Sequence, residues 1–195
     1  MNILMHLLLS GPEPEIIVGN LMGDFVKGVL DERFTPGIRR GLDLHRRIDT
    51  FAGRNDVFRR SRLRLDPAFG LYRGVLVDLF YDHFLAVQWD DYATEPLPAF
   101  LRRALAVVRA HEEHLPERLR TLVPGMFTEL LPSYVDLGGI DRALGRMSRR
   151  LSRPNPLADG GRELRRHYRE LGGDFRLFYP EITAFAEAYI AGRDI

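Results

Sequence analysis

Seven side chains in this chain combine reactive chemistry with an apolar setting: His6, Asp24, His45, Asp49, Asp78, Asp82 and His83. Asp24 is the sharpest case, because the stretch "GNLMGDFVKG" sets it among Leu21, Met22, Phe25 and Val26. An ionised carboxylate near a core is costly unless a cation or several donors answer it. Asp78 and Asp82 stand four residues apart, which puts both on one side of a helix, with His83 about 100° further round. His45 and Asp49 repeat the four-residue offset. Like charges on one buried turn repel, and a divalent cation relieves that repulsion. The chain has no cysteine, so any such ion is held by His, Asp, Glu or backbone oxygen. From the residues alone, a metal-dependent hydrolase fits this set.

Structural roles compete at each position. His6 can be a hydrogen-bonded core histidine, Lys27 can pair with Asp24, Asp49 with Arg46, and Asp78 with Arg73 or Arg102. His111, His114 and His167 lie in charged runs and read as solvated helix faces.

The elements that must position these groups read as helices throughout. "EIIVGNLMGDFVKGVL" carries apolar residues at mixed three and four spacing, and "TPGIRRGLDLHRRIDTFAGR" opens on a Thr-Pro start and keeps Ile38, Leu42, His45, Ile48 and Asp49 on one side. "DPAFGLYRGVLVDLFYDHFLAVQW" is too rich in bulky residues for a surface helix and is expected at the centre. "LRRALAVVRAHEEHL", "LPERLRTLVPGMF" and "LPSYVDLGGIDRALGRMSRRL" follow as further helices, and "SRPNPLADGG" reads as a loop. The last stretch is expected as two helices bent at Gly172-Gly173. Alternating strand patterns are nearly absent, so the fold class is all-α, with residues 1–195 as a single domain.

The N-terminal run "MNILMHLLLS" lacks a basic start and a small-residue cleavage site, so it does not read as an export signal. No apolar run approaches the roughly 20 residues needed to span a bilayer, and a cytoplasmic, membrane-free protein is expected. The formal net charge of +1 excludes a grossly basic or acidic chain, although Lys27 is the only lysine and arginines cluster at Arg39, Arg40, Arg46, Arg47 and through "RRSRLR" from Arg59 to Arg64.

Four motifs in register, "MNILMH", "GNLMGDFVKG", "HRRIDTF" and "DLFYDHFL", followed by "RMSRRL" and "FYPEI", closely resemble the bacterial acyl carrier protein phosphodiesterase family, and the match runs over essentially the whole chain. The resemblance implies a divergent helical relative of the HD-type phosphohydrolases that releases 4'-phosphopantetheine from holo acyl carrier protein. It implies a divalent metal, Mn²⁺ or else Mg²⁺, with Asp24 as ligand and essential acid. His6, His45, Asp82 and His83 follow as ligands or close neighbours, and Asp49 and Asp78 as further ligands or supports to them. One departure is visible: the HD signature runs His then Asp, whereas Asp82-His83 has the opposite order.

On this reading His45 or His83 protonates the departing serine oxygen. Arg46 and Arg47 hold the phosphate, and Arg59 and Arg60 belong to a basic rim that steers an acidic carrier. Tyr72, Tyr81 and Trp89 either line a groove for the pantetheine arm or belong to the core. Nucleic acid and membrane are not expected as partners. Two other readings remain: an HD-like phosphohydrolase acting on a nucleotide or other small phosphodiester, and a non-catalytic arginine-rich binding module.

Overall fold

The computed structural model describes residues 3–193, and every regular element among them is helical. Ten α-helices run in chain order: α1 Ile3–Leu8, α2 Pro14–Met22, α3 Pro36–Arg54, α4 Asp56–Arg64, α5 Tyr72–Val87, α6 Leu97–Ala110, α7 Glu117–Gly125, α8 Leu137–Arg150, α9 Gly161–Arg166 and α10 Tyr168–Ile190. The all-α expectation therefore holds. Among the described residues no helix is long and apolar enough to cross a membrane.

α5 lies at the centre as its composition predicts. Val77, Phe80, Tyr81, Phe84 and Leu85 are almost wholly enclosed. Tyr81 and Trp89 are both core, so neither lines an open groove. α1 is buried along its length and packs on α5. Its start is held from outside the helix: the Asp82 carboxylate accepts from Leu4 N and Met5 N, both at 2.9 Å. The first N–H groups of a helix have no intrahelical partner, and here a side chain from α5 supplies it. A carboxylate there also complements the helix dipole.

The closest helix pair is α2 with α3, and glycine is the reason. A Cβ on Gly19 would stand 2.2 Å from the Ile38 carbonyl oxygen, and one on Gly41 would stand 2.4 Å from the Ile16 carbonyl oxygen. The two backbones thus touch where neither carries a side chain. α3 is started by Thr35, whose hydroxyl accepts from Ile38 N at 3.2 Å, with Pro36 fixing the first turn.

Several boundaries differ from the sequence expectation, among them the start of α5 at Tyr72 after a separate turn at Pro67–Phe69, and two of them bear on packing. The helix expected through Leu30 stops at Met22, which leaves Asp24 in a turn beyond it. A Cβ on Gly23 would fall 2.0 Å from the His45 ring, so the chain there is shaped by the ring it packs against. At the other end, α10 runs unbroken through Gly172-Gly173 and Pro180, and the break comes at His167 instead. Gly172 lies against Phe84, where a Cβ would come within 3.1 Å, so it serves close helix packing and not a bend.

Replacing Gly41 with valine forces α2 and α3 apart. The expected loss is about 1–3 kcal/mol or more, seen as a lowered thermal midpoint with helical circular dichroism retained in the cold; an unchanged midpoint would mean the contact is not needed.

Candidate metal centre

The crossing of α2 on α3 brings together residues far apart in the chain. Asn20, one residue past Gly19, is completely buried, and its backbone oxygen, in the last turn of α2, accepts from Gly23 N at 3.3 Å and has a second lone pair to offer. His45 Nδ1 donates to that oxygen at 2.8 Å, four residues beyond the Gly41 contact. The Asn20 side chain reaches the other way, its Oδ1 lying 2.7 Å from His6 Nδ1. The two imidazoles then stack, with centroids 4.0 Å apart and planes 18° from parallel.

Both rings present Nε2 to the same carboxylate. Asp49 Oδ1 lies 3.3 Å from His6 Nε2 and Asp49 Oδ2 lies 3.3 Å from His45 Nε2. Asp24 Oδ1 stands 3.9 Å from His45 Nε2 on the solvent side. The histidines are buried, while Asp49 is exposed and Asp24 partly so, which makes an opening lined by acids over a floor of imidazoles. Donor atoms of His6, His45 and Asp49 all fall within 4.8 Å of one another. His6 Nε2 is buried and receives no hydrogen bond. A buried ring nitrogen without a hydrogen bond, set opposite the Asp49 carboxylate, is a position that could hold a cation, and the donor set of imidazole and carboxylate fits a hard or borderline divalent ion.

The electrostatics agree with that fit. Burial pushes His6 below its ordinary value, against the opposing pull of Asp49, and holds the ring neutral. Burial acts downward on His45 too, but the Asp24 and Asp49 carboxylates outweigh it and raise it to about 9. For Asp49 and Asp24, burial acts upward and is overcome by His45, joined by His6 in the case of Asp49, so both stay below the usual carboxylate range.

The structure does not bring Asp82 and His83 into this cluster. Asp82 is fully enclosed and engaged with the start of α1, two residues from His6, so it positions the α1 backbone. Burial raises it to about 8 against its two amide hydrogen bonds, and Asp78, one turn away and half-buried, adds to the rise. His83 lies with Nδ1 2.7 Å from the Tyr134 carbonyl oxygen and Nε2 3.0 Å from the Tyr168 hydroxyl. Two partners engage both nitrogens, so it joins α5 to α10 and the Tyr134 segment.

The arginines are also distributed differently. Arg46 donates to the Gly28 carbonyl at 2.8 Å, strapping the loop that follows Asp24. Arg47 pairs with Asp43 at 2.7 Å, and Arg59 pairs with Asp56 at 3.1 Å. Arg60 and Arg64 both bind the buried Asp174, each at 2.7 Å, with Ser61 Oγ adding a bond at 2.9 Å. Asn20 and Asp174 were not singled out in the sequence. Asn20 shows the same signal as Asp24, a lone polar residue inside an apolar stretch, whereas Asp174 stands among Arg169, Glu170 and Arg176 and gives no such signal.

Comparison with known proteins now bears on this geometry. The sequence model described as acyl carrier protein phosphodiesterase matches residues 1–182. The chain belongs to the acyl carrier protein phosphodiesterase family. Relatives named acyl carrier protein phosphodiesterase include one from Photorhabdus laumondii, 30 % identical over 96 % of this chain and 96 % of its own length. One from Yersinia pestis is 30 % identical over 96 % of this chain and 98 % of the relative, and one from Shigella boydii is 32 % identical over 95 % and 97 %. No solved structure matches the chain.

Two outcomes follow. In metal-free protein His45 keeps its proton up to about pH 9, against 6.5 for the ordinary side chain, so the folded chain binds more protons in that window. Stability then falls as pH rises from 6.5 to about 9, while the depressed Asp24 and Asp49 remove stability on the acid side as pH drops below the ordinary 3.8. Thermal melts in chelator across the alkaline window should slope downward, and His45→Gln should flatten that limb. His83→Gln should lower the melting temperature yet leave turnover near wild type; lost turnover with the fold intact would return His83 to the chemistry.

Proposed function

We propose that the chain is a metal-dependent phosphodiesterase that hydrolyses the link between 4'-phosphopantetheine and the serine of holo acyl carrier protein. The observation that carries this reading is the His6, His45 and Asp49 cluster with its orphaned His6 Nε2, in a chain of this family. His6, His45, Asp49 and Asp24 would hold one divalent ion, most suitably Mn²⁺ and otherwise Mg²⁺. When bound, the ion draws charge from the phosphodiester oxygens and lowers the pKa of water.

Water adds to phosphorus, the bond from phosphorus to the serine oxygen breaks, and one water proton ends on that oxygen. Phosphate therefore stays with pantetheine and the carrier regains its free serine. Asp24 has one oxygen toward His45 and a side chain partly open to solvent, which suits it to orient the attacking water by accepting its hydrogen bond. The buried histidine floor keeps bulk water to one side. Arg46, tied to Gly28, holds the turn that carries Asp24.

A carrier protein also needs a landing surface. Arg60 binds the buried Asp174 and Arg59 pairs locally. A groove of about 360 Å³ runs between α3 and α10, lined by Arg47, Thr50, Phe51, Arg54, Asn55 and Phe185. Phe51 and Phe185 pack with centroids 4.7 Å apart, and no acid lines the groove. An aromatic floor with an arginine rim suits an acidic amphipathic face, and it lies on the same helix as His45 and Asp49.

Incubation of holo carrier protein with the enzyme and Mn²⁺, followed by intact mass, should show loss of phosphopantetheine that chelator prevents. Asp24→Ala should give no product with its helical circular dichroism intact. Product from that variant, or turnover of a nucleotide panel with the carrier untouched, would overturn the assignment. Arg54→Glu should raise KM for the carrier more than it lowers kcat, and an unchanged KM would move the landing surface elsewhere.

A further inference from the structure

We propose that Asn20 is a positioning residue that locks the two imidazoles of the centre with Nε2 outward before any ion arrives. The inference rests on the metal-centre reading above and adds a residue to it. The assignment follows from donor and acceptor chemistry. Asn20 Nδ2 lies 2.9 Å from the His6 carbonyl oxygen and 2.9 Å from Ser10 Oγ. A carbonyl oxygen only accepts, so the amide atom facing it is the nitrogen. Ser10 Oγ donates its own proton to the same His6 carbonyl at 2.7 Å, which leaves its lone pair for Asn20.

Asn20 Oδ1 is thereby turned toward His6 Nδ1 at 2.7 Å. It can only accept, so Nδ1 carries the proton and Nε2 of the neutral ring carries the lone pair. On the other ring, the Asn20 backbone oxygen keeps Nδ1 as the donor, so the proton that His45 gives up when an ion binds is the one on Nε2. One residue, wholly buried, therefore fixes both rings by its side chain and its main chain together. Without it, His6 would gain by turning its proton to Nε2, where Asp49 waits 3.3 Å away, and that tautomer has no lone pair for an ion. Hydrogen bonds to the non-ligating nitrogen are a general device for orienting metal-bound histidine.

The test uses the full chain, metal-free and then titrated with Mn²⁺ alone. Long-range ¹⁵N correlation spectra of the metal-free wild type should show His6 protonated at Nδ1 and bare at Nε2. Asn20→Leu, of similar size but without an acceptor, should shift the proton to Nε2 and weaken Mn²⁺ binding about 10–100-fold. Asn20→Asp keeps an oxygen toward His6 and should retain the wild-type tautomer, with affinity nearer wild type. A wild-type His6 protonated at Nε2 overturns the proposal even if the leucine variant does not fold. So does a folded leucine variant with unchanged nitrogen shifts and affinity. If the wild type binds no Mn²⁺ yet shows the expected tautomer, the metal reading fails and the lock stands.

Discussion

Two helices that touch backbone to backbone set the conditions for everything at the centre of this protein. Gly19 and Gly41 remove the side chains that would hold α2 and α3 apart, and the gap that remains is too small for even a methyl group. Because the helices lie so close, a last-turn carbonyl of α2 can meet an imidazole of α3, and the Asn20 side chain can reach α1. A helix end normally gives the spare lone pairs of its carbonyls to water; here the Asn20 oxygen, which also accepts from Gly23 N, takes the His45 ring instead. The same closeness forces glycine at position 23, since the His45 ring occupies the space of its side chain.

The acids of the chain divide by what answers their charge. Asp82 is answered by two backbone amides of α1, and Asp174 by two arginines and a serine. Removing such a buried partner leaves the other group desolvated and unpaired, which is the costly outcome in an interior. Asp24 and Asp49 are different: they face imidazoles, Asp49 at 3.3 Å and Asp24 at 3.9 Å, and keep contact with solvent. Groups that are fully paired hold the fold, and the acids at the opening are the ones that solvent reaches. Asp82 links the two classes, because the helix it anchors carries His6.

Arginine use follows the same division. Arg46, Arg60 and Arg64 are engaged with loop carbonyls or the buried Asp174, so they stiffen the frame around the site. Arg54, and Arg47 with its Asp43 partner, stand beside the Phe51 and Phe185 floor over a groove. A charged residue is therefore a poor guide to a docking surface until its partners are known, since three of the four arginines in the strongest basic run pair with acids of α4 and α10.

The sequence by itself determined the all-α class, the central placement of α5, the start of α3 at Thr35-Pro36, and the family through motifs held in register. It also marked His6, Asp24, His45 and Asp49 as groups needing an answer to burial, because lone polar residues on apolar helical faces are visible from spacing alone. Only the tertiary structure decided which of the marked groups meet. Asp78 and Asp82 show the same four-residue offset as His45 and Asp49, yet Asp82 faces an α-helix start and its neighbour His83 a tyrosine pair. Spacing along one helix reports which side a residue lies on, but what stands opposite depends on contacts between distant segments. The partner of a buried charge comes from another helix, and that choice is made by packing: here, by two glycines that let α2 and α3 close to contact.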